Sequence, residues 1–208
     1  MRPGLPSAAD FKLAVRNCIH PVLRPLAYAI GGKGTLSWTR RRDGERTSLI
    51  FRREPRAVDP YQGGRFSIEF EHTTTEIPRA GLNGRAYFDQ LLESSERDRV
   101  IHYQNAVISS LPHPPAQHIA VYPEQLRDTY LSGFEPEGPV RPGALHMRFL
   151  TMEDLLGWLA LIALLLPAVL DRADRLDPTV LYLASPIDLD ANPLRPTNPV
   201  VLRQSAAP

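Results

Sequence analysis

One cysteine, Cys18, in 208 residues leaves no partner for an internal disulfide. Lysine is nearly missing as well: of 24 basic residues only Lys12 and Lys33 are lysine. Guanidinium is the better fork for carboxylate and phosphate, but a GC-rich genome produces the same bias, and we read it that way. The opening MRPGLPSAADFKLAVR has no apolar segment of the kind a secretory signal needs. Together these absences point to a reduced, cytoplasmic setting.

Long hydrophobic runs are also lacking. A spanning helix needs about 20 apolar residues to cross roughly 30 Å of hydrocarbon. The longest run, LLGWLALIALLLPAVL at 155–170, has sixteen, which reach about 24 Å at about 1.5 Å per residue. Pro167 lies inside it, Glu153 and Asp154 precede it, and no basic cluster sets an orientation. Thr151 followed by Asp154 reads as a helix start with two carboxylates at the positive end of the dipole. The expectation is a helix of the protein core, apolar all round and therefore central, with no membrane as partner. Pro167 should kink that helix or restart it. Gly157, Ala160 and Ala163 form a line of small residues against which another element can lie closely.

Catalytic signatures are equally scarce. GGKGT at 31–35 lacks the spacing of a phosphate loop and stands where a helix closes and a strand opens, the reverse of what such a loop requires. No G-x-S-x-G occurs. His113 and His118 are separated by PPAQ, which is not a helical spacing, and nothing nearby completes a zinc pattern. Cys18 falls on the apolar side of a helix and reads as a packed thiol. No cofactor is implied.

What is present is an uneven distribution of charge. Residues 1–56 hold twelve Arg and Lys against four Asp and Glu, a balance of 12 − 4 = +8, whereas residues 57–208 hold twelve against nineteen, or 12 − 19 = −7. The basic excess is densest in TLSWTRRRDGERTSLIFRRE, two strand-like runs flanking Asp43-Gly44, a strong hairpin signal. Its Arg40, Arg41, Arg42, Arg46, Arg52, Arg53 and Arg56 are interleaved with Trp38 and Phe51. In RFSIEFEH, Phe66, Ile68 and Phe70 should face inward and Arg65, Ser67, Glu69 and Glu71 outward.

The remaining elements follow from periodicity and punctuation. Ser7 and Asp10 cap a first helix in which Phe11, Val15, Ile19, Val22, Leu23 and Leu26 recur at helical spacing, with Gly31-Gly32 as its end. NGRAYFDQLLESSERDRVIHYQNAVISSLP reads as one helix or two, its apolar patches being Tyr87, Phe88, Leu91, Leu92 and then Val100, Gln104, Val107, Ile108, Leu111. Residues 111–143 hold seven prolines and read as an insertion, with a short helix opened by Pro123. ALHMRFL and TVLYLA are strand candidates. The expected fold class is α+β: an antiparallel sheet of about four to five strands packed on the N-terminal helix and the apolar C-terminal helix. Residues 1–185 would form the domain, and 186–208, with five prolines, an extended or disordered tail.

Phe11, Ile19, Leu23 and Leu26, then GTLSWTR at 34–40 and RFSIEFE at 65–71, carry a likeness over Ser7 to His72. On these residues the chain resembles an uncharacterised family of small bacterial cytosolic proteins, in which an amphipathic helix and a glycine-containing turn precede an antiparallel meander. The resemblance implies a fold and no activity. The proline-rich section and the tail depart from it.

Function is therefore read from what the surface offers. The expectation is a non-enzymatic intracellular binding protein whose partner is another protein or a second copy of itself. It would act through Trp38, Arg40, Arg41, Arg42, Arg46, Arg52 and Arg53. An accessory or neutralising factor in a bacterial defence or toxin system is one concrete form, suggested by fold likeness alone. Nucleic-acid binding by the 38–56 hairpin is the second reading, its arginines holding phosphates and its aromatics stacking bases. A metal-dependent hydrolase using Glu69 and Glu71 is the third.

Overall fold

A computed structural model describes residues 4–31, 36–42, 44–54, 59–74, 84–136 and 145–174, with the backbone of 182–183 and 200–201. Ser7 and Asp10 form the expected capping box: the Asp10 amide donates to the Ser7 hydroxyl at 3.2 Å and the Ser7 amide to the Asp10 carboxylate at 3.1 Å. The helix they open, α1, spans Ala8–Leu23 and buries Phe11, Ala14, Val15, Ile19 and Leu23. It ends well before Gly31, because Pro25 enters a 3-10 turn over Arg24–Leu26 and Ala27 then adopts a left-handed φ of 61°.

The sheet is antiparallel and six-stranded: β1 (Ala29–Ile30), β2 (Ser37–Arg42), β3 (Glu45–Arg53), β4 (Gly64–Thr74) and β5 (Gly84–Tyr87) in that order, with β6 (Met147–Phe149) also on β4. The predicted hairpin is present, its register closing at Arg42 opposite Glu45, with Gly44 at a φ of 80°. Asp43 lies outside the described residues. The eleven-residue β4 is the spine. One of its edges pairs with β3 from Phe66 to Thr74, and the other is shared by β6 at Gly64–Phe66 and β5 at Glu69–His72. Here the structure corrects the expectation of a helix from residue 83: Gly84–Tyr87 is a strand, its backbone pairing with the stretch of β4 that β6 leaves uncovered. A 3-10 turn at Phe88–Leu91 then leads into α2 (Ser94–Ser109), which buries Val100, Gln104, Val107 and Ile108 as anticipated.

Gly63 sets the junction between β4 and β6. Asp59 and Gly63 exchange backbone hydrogen bonds at 3.1 and 2.8 Å, Gly63 has a φ of +75°, and a Cβ added there would stand 2.4 Å from the Phe149 carbonyl oxygen. Glycine is required on both counts.

Phe66, Ile68 and Phe70 face the helices, completing a core with Trp38, Phe51, Phe11 and Phe149. Phe11 meets Phe66 edge-on at 5.5 Å and stacks on Phe149 at 5.8 Å. The helix α5 (Met152–Asp174) starts as predicted, the Asp154 amide donating to the Thr151 hydroxyl at 3.1 Å and the Thr151 amide to the Asp154 carboxylate at 2.8 Å. It runs unbroken through Pro167. By length and composition it could cross a membrane, yet Leu155, Trp158, Leu159, Ile162, Leu165, Leu166, Val169 and Leu170 pack into the same core. It is not covered all round: Leu156 and Leu164 are 43% and 62% exposed. Of the small-residue line, Gly157 is where α2 approaches, because Tyr103 occupies the space a Cβ would need. Trp158 is fully buried, and its indole N–H donates to the Arg148 carbonyl at 2.6 Å.

Inside the proline-rich section, α3 (Ala116–Ala120) was not anticipated, while α4 (Glu124–Leu131) follows Pro123 as predicted. Of TVLYLA only the backbone of β7 (Tyr182–Leu183) is described, and it pairs with β8 (Val200–Val201). The rest of the tail, and residues 137–143, lie outside the described residues.

Candidate interaction surface

The arginines of the hairpin divide into two groups once the two faces of the sheet are separated. Trp38, Arg40 and Arg42 lie on the helix-facing side of β2, and Trp38 is 1% exposed, its indole N–H donating to His20 Nδ1 at 3.3 Å. Phe51 is 4% exposed on the same side of β3. The placement of Trp38 in a partner surface is thereby corrected: the ring is a core residue, since strand alternation puts it opposite Leu49 beneath the helices. Arg40 covers the Tyr28 ring at 4.9 Å and pairs with Asp174 at the end of α5. Arg42 is exposed and also holds an internal interaction. Arg53 donates to the Pro6 carbonyl at 3.0 Å and lies 5.9 Å from the rings of Phe11 and Phe149. A polar cleft of 220 Å³ between the hairpin and α5 is lined by Arg40, Arg42, Glu45, Thr47 and Asp174.

On the other side of the sheet, Arg52 lies 2.7 Å from Glu69 and 3.8 Å from Glu71. Glu69 is only 5% exposed, so its carboxylate needs that cation, and the expected solvated face is a charge-paired one at this point. The same guanidinium occupies the ground between the two carboxylates that a divalent ion would require. Among the described residues no group of three or more His, Cys, Asp or Glu side chains is placed to hold a metal. Arg56 lies outside the described residues.

Arg41 and Arg46 remain. They are direct cross-strand partners on the outer face, both exposed, and neither makes a hydrogen bond or ion pair among the described residues. Directly opposed side chains on one sheet face have their Cβ atoms about 5 Å apart, and like charges so placed are destabilising. Moving along the ladder, the next outer pair is Thr39 and Ser48, whose hydroxyls lie 3.1 Å apart, and then comes Ser37 opposite the half-buried Ile50.

A second polar cluster went unread in the sequence beyond Asp59 being an acidic residue before β4. The Asp59 carboxylate accepts from the amides of Tyr61 and Gln62 at 2.7 and 2.8 Å and from the Tyr130 hydroxyl at 3.2 Å through Oδ1. Its Oδ2 meets the Tyr122 hydroxyl and His118 Nε2, each at 3.3 Å. Burial raises its pKa, but these hydrogen bonds outweigh burial and hold the carboxyl below the usual carboxylate range. Burial and the Asp59 charge push both tyrosine hydroxyls upward. With every lone pair engaged, Asp59 acts as a clamp that fastens α3 and α4 to the loop before β4. The Asp-Pro start of DPYQGG, a turn signal with the carboxylate bonding its own backbone two residues on, was the clue available. His118 is thus explained without a metal, and His113 stacks on Phe134 at 6.0 Å. Cys18 is half-buried, its thiol pushed up by burial.

Comparisons with protein-family models, with curated proteins and with solved structures return no match for this chain. The resemblance over Ser7 to His72 therefore stands on its packing residues alone.

Proposed function

We propose that the protein is a non-enzymatic binding module that holds an acidic region of a partner protein on the outer face of its sheet, at the Arg41–Arg46 end. One observation carries this reading. Among the described residues, two exposed guanidiniums stand directly opposite each other without a carboxylate, while the neighbouring Arg40 and Arg52 each have one. The fold bears a like-charge cost that a bound anion would remove. Burial of Trp38 and Phe51 takes away the stacking platform that nucleic-acid binding would use, and so favours a protein over a nucleic acid. Arg52 across Glu69 and Glu71 weighs against the hydrolase reading. The single free Cys18 fits a reducing, cytoplasmic setting.

A labelled decamer of glutamate serves as the probe for this reading. Fluorescence anisotropy should show binding that weakens steeply between about 50 and about 200 mM salt, as expected for exposed charges. Arg41→Ala and Arg46→Ala should each weaken it roughly five-fold, near 1 kcal/mol. Lys12→Ala, exposed on α1, should leave it unchanged. No binding at the lower salt, or equal losses in all three variants, would overturn the proposal.

A further inference from the structure

We infer that Asp59, His118, Tyr122 and Tyr130 are the ligands of a hard trivalent metal ion, ferric iron being the biological case. This site is independent of the acidic-partner face: Asp59 precedes β4, whereas Arg46 stands opposite Thr73 at the far end of that strand. The clamp is complete as a set of hydrogen bonds, yet it also brings a carboxylate, an imidazole nitrogen and two phenol oxygens to one place. Asp59 Oδ2 lies 3.3 Å from both the Tyr122 hydroxyl and His118 Nε2, and Oδ1 lies 3.2 Å from the Tyr130 hydroxyl. Donors bonded to one ion at about 2.0–2.2 Å stand roughly 3 Å apart, so the spacing is already near that of a coordination shell.

The fold holds these donors in place. His118 and Tyr122 are one helical turn apart along α3, and Tyr130 lies in the last turn of α4. The Tyr122 and Tyr130 rings stack at 4.3 Å, carrying both hydroxyls to the same carboxylate. Tyr61 rests against the imidazole at 4.6 Å and Phe134 against Tyr130 at 5.6 Å. The amides of Tyr61 and Gln62 fix the carboxylate through Oδ1. The side chains of His118 and Asp59 are 27% and 17% exposed, which leaves an ion a way in from solvent.

The donor set selects the ion. Three of its four donors are oxygen and none is sulfur, which suits a hard cation, and tyrosinate is an established ligand of iron. One carboxylate and two phenolates carry three negative charges, which a trivalent ion neutralises and a divalent ion does not. Without the ion, burial and the Asp59 charge keep both phenols protonated; a bound cation inverts that field. Loading is an exchange: the ion takes both phenolate oxygens, a carboxylate oxygen and Nε2 of the neutral imidazole, and two phenol protons leave to solvent. The iron enters already ferric, so no electron is transferred.

The test titrates the full chain with ferric nitrilotriacetate. A visible phenolate-to-iron charge-transfer band should grow and saturate at one iron per chain, and the thermal midpoint should rise. Tyr122→Phe and Tyr130→Phe should each weaken ferric binding by roughly ten-fold or more, at least what loss of a supporting group costs. The double variant should lack the band. His118→Ala should weaken binding and keep the band, which arises from the phenolates. Tyr103→Phe, whose hydroxyl serves Asp154 on α5, should change neither. Midpoints of the iron-free variants show that each is folded, and the unaltered chain tests the inference even where a variant is not. No band in the unaltered chain, or a band that survives in the folded double variant, would overturn the site. Zinc or magnesium raising the midpoint more than iron does would overturn the trivalent assignment. Binding of the glutamate decamer is unaffected by any of these outcomes.

Discussion

Gly63→Ala is expected to lower the unfolding free energy by roughly 2–5 kcal/mol. About 1–2 kcal/mol comes from forcing an L-residue into the left-handed region, and about 1–3 kcal/mol from overpacking. The obstacle is backbone: the new methyl would stand 2.4 Å from the Phe149 carbonyl oxygen and 2.9 Å from its carbonyl carbon. A side chain could rotate away, but relieving this contact means moving β6 away from β4, and the Gly64–Phe149 pairing is adjacent. Gly4→Ala is the control, since nothing lies within 4 Å of its added methyl. Urea denaturation read by tryptophan fluorescence compares the two. A Gly63→Ala midpoint equal to that of Gly4→Ala would mean that the loop before β4 does not seat against β6 as described.

Trp158→Ala should cost roughly 3–5 kcal/mol. The indole is fully buried, packs edge-on against Tyr103 at 4.7 Å, and hydrogen-bonds the Arg148 carbonyl. Truncation opens a cavity between α5, α2 and β6 and strands that carbonyl away from water. Trp158→Phe separates the two contributions: it keeps most of the volume and loses the donor, so a smaller loss of roughly 1–3 kcal/mol is expected. The same unfolding curves, followed by far-ultraviolet circular dichroism, report both. Equal losses in the two variants would show that the hydrogen bond, and not the filled volume, dominates.

The local signals in the sequence were the dependable ones. Each of the two capping pairs read from the sequence is written within four consecutive residues, Ser7–Asp10 and Thr151–Asp154, and both form. The Asp43-Gly44 hairpin forms for the same reason. Gln104 could be grouped with an apolar patch from spacing alone, but its role was not readable: its amide donates to the His146 carbonyl at 3.0 Å and accepts from the Arg148 amide at 3.1 Å, finishing an edge of β6 that meets no further strand among the described residues. Gly84–Tyr87 reads as helix locally and is a strand because β4 is eleven residues long and β6 covers only its start. Tertiary pairing overrides a weak local preference.

The arginines show most clearly where sequence reading stops. Their density was visible, and their division was not. Arg40 is paired with a carboxylate 134 positions away, and Arg52 with glutamates on the next strand, so neither partner can be identified from neighbours in the chain. Trp38 was grouped with them because aromatics between arginines suggest stacking, yet alternation along β2 sends it into the core. Asp59 was likewise opaque, because Tyr122, Tyr130 and His118 reach it from a proline-rich insertion more than fifty positions away, whose one expected helix gave no sign of where it would dock.

Equilibrium unfolding of the single variants Arg40→Ala, Arg41→Ala, Arg46→Ala and Arg52→Ala tests, without any partner, the division between arginines paired inside the fold and those with no partner among the described residues. Loss of Arg40 or Arg52 should destabilise the fold by at least about 1 kcal/mol, since each leaves a carboxylate without its cation. Loss of Arg41 or Arg46 should leave stability unchanged or raise it by up to about 0.5 kcal/mol, as a like-charge pair is relieved. If Arg41→Ala and Arg46→Ala instead destabilise the protein as much as Arg40→Ala does, those side chains already serve the fold, and the proposed binding face does not exist.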